Sequence, residues 1–220
     1  ISQYIFFKVL VIILIMTMYR SIKNIPVSGK RVIVRVDYNV PFDKRTGNIS
    51  DDSRIKLTLP SLQYLIDQNA KIILMSHRGR PSGKIESLSL KPIGKHLGSL
   101  LGINVPVLED CIGDQVIEKT RSLAPGGILL LENLRFHKEE EANDQDFAFA
   151  LSLLGDYYVN EAFSVSHRAH ASMKSLPQLL PSVAGLLLEK EIFELGRILR
   201  TPTKPLSLIM GGAKVSDKMN

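Results

Sequence analysis

Cysteine is nearly absent from this sequence. The single cysteine, Cys111, excludes a disulfide framework, and its usage gives no indication of an oxidising compartment. No set of cysteine and histidine residues has the spacing of a zinc site. Long apolar runs are also missing, because the run at residues 9–16 is shorter than the roughly 20 residues that span a bilayer. Stability must therefore come from a packed core rather than from covalent cross-links.

The composition is that of a soluble globular protein. Hydrophobic residues make up 45% of the chain and charged residues 23%. The net charge of +6 allows an anionic partner, and nucleic acid, phospholipid and small phosphorylated substrates all remain open on charge alone. The basic residues are spread along the chain, which disfavours a nucleic-acid-binding surface.

Residues 1–17 differ from the rest of the chain. The sequence begins with Ile1, and Lys8 precedes the apolar run, but no small-residue cleavage site of a signal peptide follows. Three interpretations stay open: translation upstream of a true start at Met18, a membrane or targeting segment, or a buried helix. We expect an extraneous extension at 1–17, and we expect the chain from Met18 onward to be soluble without it.

Short β-branched apolar runs alternate with helical patterns along most of the chain. Strands are predicted at residues 32–36, 71–75, 105–108, 128–131, 157–160 and 206–210. Helices are predicted at residues 58–68, 91–101, 115–122, 144–154 and 186–200. The strand runs are continuously apolar, as in a parallel sheet covered on both faces. The alternation predicts an α/β fold, a doubly wound, Rossmann-like parallel sheet.

A domain boundary is predicted near the end of the chain. The last predicted helix is amphipathic, Pro202 and Pro205 would end it, and a new strand follows. One strand and one helical turn cannot bury a core by themselves. We therefore expect an α/β domain at 18–185, a connecting helix and hinge at 186–203, and the start of a truncated second domain at 204–220.

Polar segments follow five of the predicted strands, where ligands bind in open α/β sheets. The segments are DYNVP (37–41), SHRGRP (76–81), ENLRFH (132–137), NEAF with HRAH (160–163 and 167–170), and GGAKVSDK (211–218). Three of them place arginine near histidine. Their convergence would create a positive cleft suited to phosphate or carboxylate oxygens.

Each segment alone is a weak signal. An Arg–His pair is more often a solvated surface or a structural ion pair, and Asp37 and Asn39 would also suit a turn. Gly211 and Gly212 before Lys214 suit a phosphate at a helix N-terminus, but they are not a Walker A sequence and equally suit an ordinary strand-to-helix turn.

Three further features have plain structural interpretations. Residues 139–141 are expected to be a solvated helix start. We expect Cys111 to be a small buried apolar residue and His96 to lie on a helix surface.

Taken together and in order, seven segments resemble phosphoglycerate kinases. They are RVDYNVP (35–41), DDSR (51–54), MSHRGRP (75–81), EDCIG (109–113), LLENLRFHKEE (130–140), HRAHAS (167–172) and GGAKVSDK (211–218). The resemblance covers residues 31–218 and implies that family's N-terminal domain, followed by part of its nucleotide domain. Two departures lie near Arg168: Glu161 stands where the family usually has aspartate, and SVS at 164–166 replaces a more usual GTA.

The resemblance implies reversible phosphoryl transfer between 1,3-bisphosphoglycerate and Mg-ADP, giving 3-phosphoglycerate and Mg-ATP in glycolysis. Such a reaction needs positioning and charge neutralisation more than acid–base groups. Because the family's later nucleotide-binding loops are missing, we expect this chain alone to be inactive. The helix at 186–200 is the expected hinge for domain closure.

The resemblance also implies roles for individual residues. The expected substrate-binding residues are Asp37, Asn39, Arg54, His77, Arg80, Arg135 and Arg168. Among them, the arginines at 80, 135 and 168 would grip the 3-phosphate beside His77, and Asp37 and Asn39 would hold the hydroxyl and carboxyl end. The expected catalytic residues are Arg54 and Lys214, which would face the transferring phosphoryl group from opposite sides. The expected nucleotide-binding residues are Gly211, Gly212, Lys214 and Lys218.

The implied cofactor is Mg²⁺, which would enter with ADP or ATP and whose ligands we expect outside this sequence. A cytoplasmic monomer without membrane or nucleic-acid partners is expected. Two alternatives stay open: another phosphosugar-binding α/β protein, and a basic nucleic-acid-binding protein. Stronger binding of 3-phosphoglycerate than of other sugar phosphates would distinguish a phosphoglycerate kinase from the first alternative. A steep salt dependence of binding to duplex nucleic acid would favour the second.

Overall fold

The fold is a five-stranded parallel sheet in the order β3-β2-β1-β4-β5. The computed structural model describes residues 19–43 and 45–207. Its strands are β1 (Arg31–Val36), β2 (Lys71–Met75), β3 (Ile128–Leu130), β4 (Tyr157–Glu161) and β5 (Ser182–Ala184). The strand order reverses between β1 and β4, which is where ligands bind in sheets of this type.

Alternate residues of the central strands pack into two cores, one on each face of the sheet. Val32 and Val34 of β1 belong to one hydrophobic cluster. Ile33 of β1 and Ile73 of β2 belong to the other. All four side chains are fully buried. Both faces are therefore covered, which confirms the doubly wound α/β fold and explains why the strands have no polar side.

Seven helices are described. They are α1 (Ser53–Asp67), α2 (Lys91–Leu101), α3 (Asp114–Ser122), α4 (Lys138–Ala142), α5 (Gln145–Ser152), α6 (Leu176–Leu179) and α7 (Leu186–Arg200). The bounds of α2 match the prediction because Pro92 stands in its first turn and Gly102 ends it with a φ of 68°. Helix α1 begins five residues earlier than predicted, since Ile55 is the single buried apolar residue of its first turn and shows no period by itself.

The strand predictions differ from the structure at the edges of the sheet. Residues 105–108 do not form a strand, and Val107 makes only an isolated bridge to Leu130. Strand β5 was not predicted, because three residues are too few to show a period. Leu206 and Ser207 lie outside any strand, and the remainder of the predicted strand 206–210 lies outside the described residues.

Glu140 is fully buried, so the expectation of a solvated helix start at 139–141 is wrong for this residue. Its carboxylate accepts hydrogen bonds from the backbone N–H and the hydroxyl of Ser172, at 2.9 and 2.6 Å. Cys111 is buried, as expected. His96 lies on α2 and pairs with Asp52 at 2.9 Å.

Glu161, one of the departures from the family pattern, ties β4 to the start of α7. Its carboxylate accepts hydrogen bonds from the Ser61 hydroxyl and from the backbone N–H of Leu188, the latter at 3.0 Å. Burial raises the pKa of this carboxyl. A Cβ on residue 185 would overlap with the carboxylate, so Gly185 makes room for it. The longer glutamate thereby reaches the positive end of the helix.

The chain divides into two compact units between Glu189 and Lys190, inside α7. The domain limits expected at residues 185 and 203 stay predictions. Within residues 19–43 and 45–207, no helix has the length and apolar character needed to cross a membrane.

Candidate functional site

The carboxyl ends of four strands bring the predicted site residues to one edge of the sheet. Asp37 follows β1, His77 follows β2, and Arg135 lies in the short turn Leu134–Phe136 after β3. Arg168 lies in the segment after β4. Because β1 stands between β2 and β4, Asp37 occupies the middle of this edge.

Asp37 is held by donors from two sides. Arg54 Nη1 donates to its Oδ2 at 2.6 Å, and the Ser164 hydroxyl donates to the same oxygen at 2.5 Å. The Asp37 side chain is only 9% exposed, whereas that of Arg54 is about half exposed. Ser164 belongs to the SVS departure, and its hydroxyl thus gives Asp37 a second donor that a glycine would lack.

Asn39 connects the loop after β2 to Arg54. The side-chain oxygen of Asn39 accepts a hydrogen bond from the Gly79 N–H at 3.0 Å. Arg54 Nη1 reaches the Asn39 carbonyl at 3.3 Å. Gly79 has a φ of 64°, so this close loop approach uses a backbone conformation that favours glycine.

His77 is buried against Arg35, which the sequence did not indicate as a site residue. Arg35 Nη2 lies 3.2 Å from His77 Nδ1. A guanidinium only donates, so Nδ1 must accept and the ring proton must sit on Nε2. Burial, and then the charges of Arg35, Arg135 and Arg168, lower the pKa of His77 to about 2. The site therefore contains a neutral imidazole with its Nε2–H available as a donor.

His77 should make the fold sensitive to acid. The unfolded chain takes up this proton near the ordinary value of 6.5, whereas the folded chain does so only at about 2. Because the unfolded state binds more protons in that window, the free energy of unfolding should fall as the pH decreases, by at most ~1.4 kcal/mol per pH unit. Urea unfolding at several pH values should show that the free energy of unfolding depends less on pH in His77→Gln than in the parent chain. An identical slope in the variant would contradict this assignment.

Arg135 is buried, and only some of its guanidinium N–H groups have hydrogen-bond acceptors. Its Nη1 donates to the Gly79 carbonyl at 2.7 Å, and its Nε lies 2.9 Å from a carboxylate oxygen of Glu141. Its Nη2 is buried without a hydrogen-bond partner among the described residues, and so is Arg168 Nε. Buried N–H groups without acceptors are costly and uncommon in folded proteins. Together with neutral His77, these two arginines provide donors for an anion.

Asn133 connects the loops after β2 and β3. Its side-chain oxygen accepts hydrogen bonds from the backbone N–H groups of Arg78 and Arg135, both at 3.1 Å. Its side-chain nitrogen donates to the Arg78 carbonyl at 2.8 Å. Asn133 is almost completely buried and therefore positions the backbone that carries Arg135.

Comparison with known proteins identifies the family. The family model described as phosphoglycerate kinase matches residues 22–220. The chain belongs to the phosphoglycerate kinase family.

Curated relatives and solved structures agree with this result. The chain is 50% identical over 201 residues to the phosphoglycerate kinase of Moorella thermoacetica, covering 91% of this chain and 51% of that protein. It is 50% identical over 199 residues to the Dictyoglomus turgidum phosphoglycerate kinase, covering 90% of this chain and 50% of that protein. The chain thus spans about half the length of the curated relatives it matches.

Two solved phosphoglycerate kinases have the same fold. The Coxiella burnetii structure matches with a TM-score of 0.79 and 36% identity, over 91% of this chain and 50% of that one. The Pyrococcus horikoshii structure matches with a TM-score of 0.83 and 34% identity, over 91% and 50% respectively. At these identities the likeness supports the sequence match as well as the fold.

The structure does not join every expected residue to this cluster at the ends of the strands. Arg80 is exposed and makes no hydrogen bond or ion pair to the described residues. Gly211, Gly212, Lys214 and Lys218 lie outside the described part of the chain, so their roles stay predictions. Arg35, Asn133 and Ser164 also contact the site but were not predicted as site residues. Arg35 and Asn133 lie within segments that match the family, and that position was the one available signal for them.

Proposed function

We propose that this chain supplies the phosphoglycerate-binding site of a phosphoglycerate kinase. The complete protein would transfer the acyl phosphate of 1,3-bisphosphoglycerate to Mg-ADP, giving 3-phosphoglycerate and Mg-ATP, and would catalyse the reverse. One observation carries the proposal: within the described part of the chain, Arg135 Nη2 and Arg168 Nε are buried without acceptors beside a neutral histidine. A phosphate that does not react would satisfy these donors.

The proposed substrate contacts come from the family resemblance, and the geometry of the cluster supports them. Arg135, Arg168 and the Nε2–H of His77 would hold the 3-phosphate, and the exposed Arg80 would approach it from solvent. Asp37 and Asn39 would hold the opposite end of the substrate. Because Asp37 Oδ2 already accepts from two side chains, a substrate hydroxyl would donate to Oδ1, which accepts only the Asn39 backbone N–H at 3.2 Å among the described contacts.

Arg54 is the proposed catalytic residue within the described part of the chain. Its side chain is about half exposed to solvent, while Nη1 is held by an ion pair with Asp37. A preorganised cation in this position would stabilise the charge on the transferring phosphoryl group without reorganising during the reaction. Lys214 would act from the nucleotide side, with Gly211, Gly212 and Lys218 at the nucleotide phosphates. Mg²⁺ would arrive with the nucleotide as part of the substrate.

The transfer is proposed for a protein of the relatives' length, because the chain spans about half of them. For these 220 residues the expected activity is binding without turnover. The family carries out a glycolytic reaction, so a cytoplasmic role is proposed with it.

Calorimetric titration of the 220-residue chain with 3-phosphoglycerate tests the proposal. Binding should weaken as salt increases, because the contacts are ionic. Glycerol 3-phosphate, which keeps the hydroxyl but lacks the carboxylate, should bind more weakly if the carboxylate contributes to binding. Absence of heat at millimolar 3-phosphoglycerate, with the fold intact by circular dichroism, would contradict the proposal. Equal affinity for both ligands would favour a less specific phosphosugar-binding protein.

A further inference from the structure

Asp110, Cys111 and His137 lie together outside the proposed substrate site. A carboxylate oxygen, the thiol sulfur and a ring nitrogen from these residues all lie within 4.8 Å of one another. Asp110 and Cys111 precede α3, whereas His137 comes directly before α4. It is the single group of three such ligands found in residues 19–43 and 45–207. No sequence spacing indicated it, because the residues are separated by 26 and 27 positions.

We propose that these three residues form a site for a zinc-like divalent cation. A thiolate, an imidazole and a carboxylate are ligands that Zn²⁺ accepts together, with water in the fourth position of a tetrahedron. The site would connect the loop before α3 to the segment before α4. This proposal is independent of the phosphoglycerate kinase reaction.

The geometry needs only a small adjustment. Ligand bonds of about 2.0–2.3 Å place tetrahedral ligand atoms roughly 3.5 Å apart. Separations of up to 4.8 Å must therefore close by at most about 1.3 Å, and the 2.6 Å contact between His137 Nε2 and Asp110 Oδ1 must open by about 0.9 Å. The side chains of Asp110 and His137 are 51% and 26% exposed, which leaves them free to make this movement. Cys111 is fully buried and would form the fixed base of the site.

The contacts around the site orient two of the ligands. His137 Nε2 and Asp110 Oδ1 are 2.6 Å apart, so both atoms already point to the same place. The Phe147 ring packs against the His137 ring with centroids 5.3 Å apart. The backbone N–H of Cys111 donates to Asp110 Oδ1 at 2.6 Å. A metal ion would replace the hydrogen bond between His137 Nε2 and Asp110 Oδ1 and would be coordinated by these two atoms.

The local charge favours a cation, with one opposing group. Burial raises the pKa of the Cys111 thiol, and the negative charges of Asp110 and Glu140 raise it further. The same negative potential attracts a divalent ion. Lys84 opposes it, since its charge acts on Asp110 and its ammonium bonds the Glu109 carbonyl at 2.9 Å. On binding, the thiol proton leaves to solvent, the sulfur bonds the metal, and the imidazole proton moves from Nε2 to Nδ1.

Titration of the tag-free 220-residue chain with Co²⁺ tests the site directly. Because Cys111 is the only cysteine, a thiolate-to-cobalt charge-transfer band can come from no other residue. We expect this band to saturate at one equivalent and to disappear when Zn²⁺ is added. His137→Gln should weaken Co²⁺ binding by at least about tenfold, and Cys111→Ser should abolish the band.

His96→Gln is the matched control. His96 pairs with Asp52 at 2.9 Å, much as His137 pairs with Asp110, but no cysteine accompanies that pair. The control should leave Co²⁺ affinity unchanged. The proposal is overturned if excess Co²⁺ gives no charge-transfer band while circular dichroism shows a folded chain. It is equally overturned if His137→Gln binds as tightly as the parent chain, and neither result depends on Cys111→Ser folding.

Discussion

Glu140→Ala should destabilise the fold by about 3–5 kcal/mol. Glu140 is fully buried, and Ser172 links it to Arg35: Arg35 Nε donates to the Ser172 hydroxyl at 3.0 Å, which donates to Glu140 at 2.6 Å. Arg35 is only 1% exposed. Removing the carboxylate would leave this guanidinium buried beside Arg135 and Arg168 without its compensating charge. Urea unfolding of the full chain, followed by circular dichroism, measures the change.

Glu139→Ala is the matched control, because it removes a glutamate from the same short helix where the side chain is not fully buried. Its effect should stay within about 0.5 kcal/mol, as for most substitutions away from buried networks. Glu140→Gln keeps the shape and removes the charge, so it should fall between the two. If Glu140→Ala costs no more than Glu139→Ala, the buried network does not stabilise this fold.

Arg135→Ala should weaken 3-phosphoglycerate binding by roughly 10–150-fold, which corresponds to about 1.5–3 kcal/mol for a hydrogen bond to a charged group. The expectation rests on the proposed function. Arg135 Nη2 is buried and has no acceptor among residues 19–43 and 45–207, so a phosphate oxygen would gain a donor that water does not compete for. Arg54 is instead assigned to the transferring group, and Arg54→Ala should change this affinity by less than about threefold. Calorimetry on the 220-residue chain gives both values.

Arg121→Ala controls for the loss of one positive charge. Arg121 lies on the exposed surface of α3, and its removal should leave the affinity unchanged. Arg135→Lys should still bind poorly, because an ammonium cannot reproduce the planar fork. Thermal unfolding separates a binding defect from a folding defect, since Arg135 Nη1 also bonds the Gly79 carbonyl. Equal losses in Arg135→Ala and Arg54→Ala would show that the two arginines share one role.

Much of the fold could be predicted because its local patterns are strong. The mainly apolar runs of β1 and β2 are buried on both faces, and that pattern distinguishes a doubly wound sheet from a half-exposed one. Helix α2 begins and ends as predicted because proline and glycine mark its ends. Strand β5 was missed, and the strand predicted at 105–108 is only an isolated bridge at Val107, since edge pairing depends on the neighbouring strand rather than on a local period.

The location of the candidate site could be predicted because the topology of a parallel sheet determines it. Parallel strands end at the same edge, so polar residues after β1, β2, β3 and β4 had to meet there. The sequence by itself therefore determined the α/β class, the site edge and, through its ordered segments, the family.

Only the tertiary structure decided which charged residues are buried and what they contact. Arg35 and Ser172 are separated by 137 positions. Glu140 looks like a surface glutamate in the sequence, and only its contact with Ser172 makes it part of the core. Asp110 and Cys111 likewise meet His137 only because the segments before α3 and α4 pack together. The physical reason is that burial and charge compensation depend on distances in space, which a local pattern of residues does not contain.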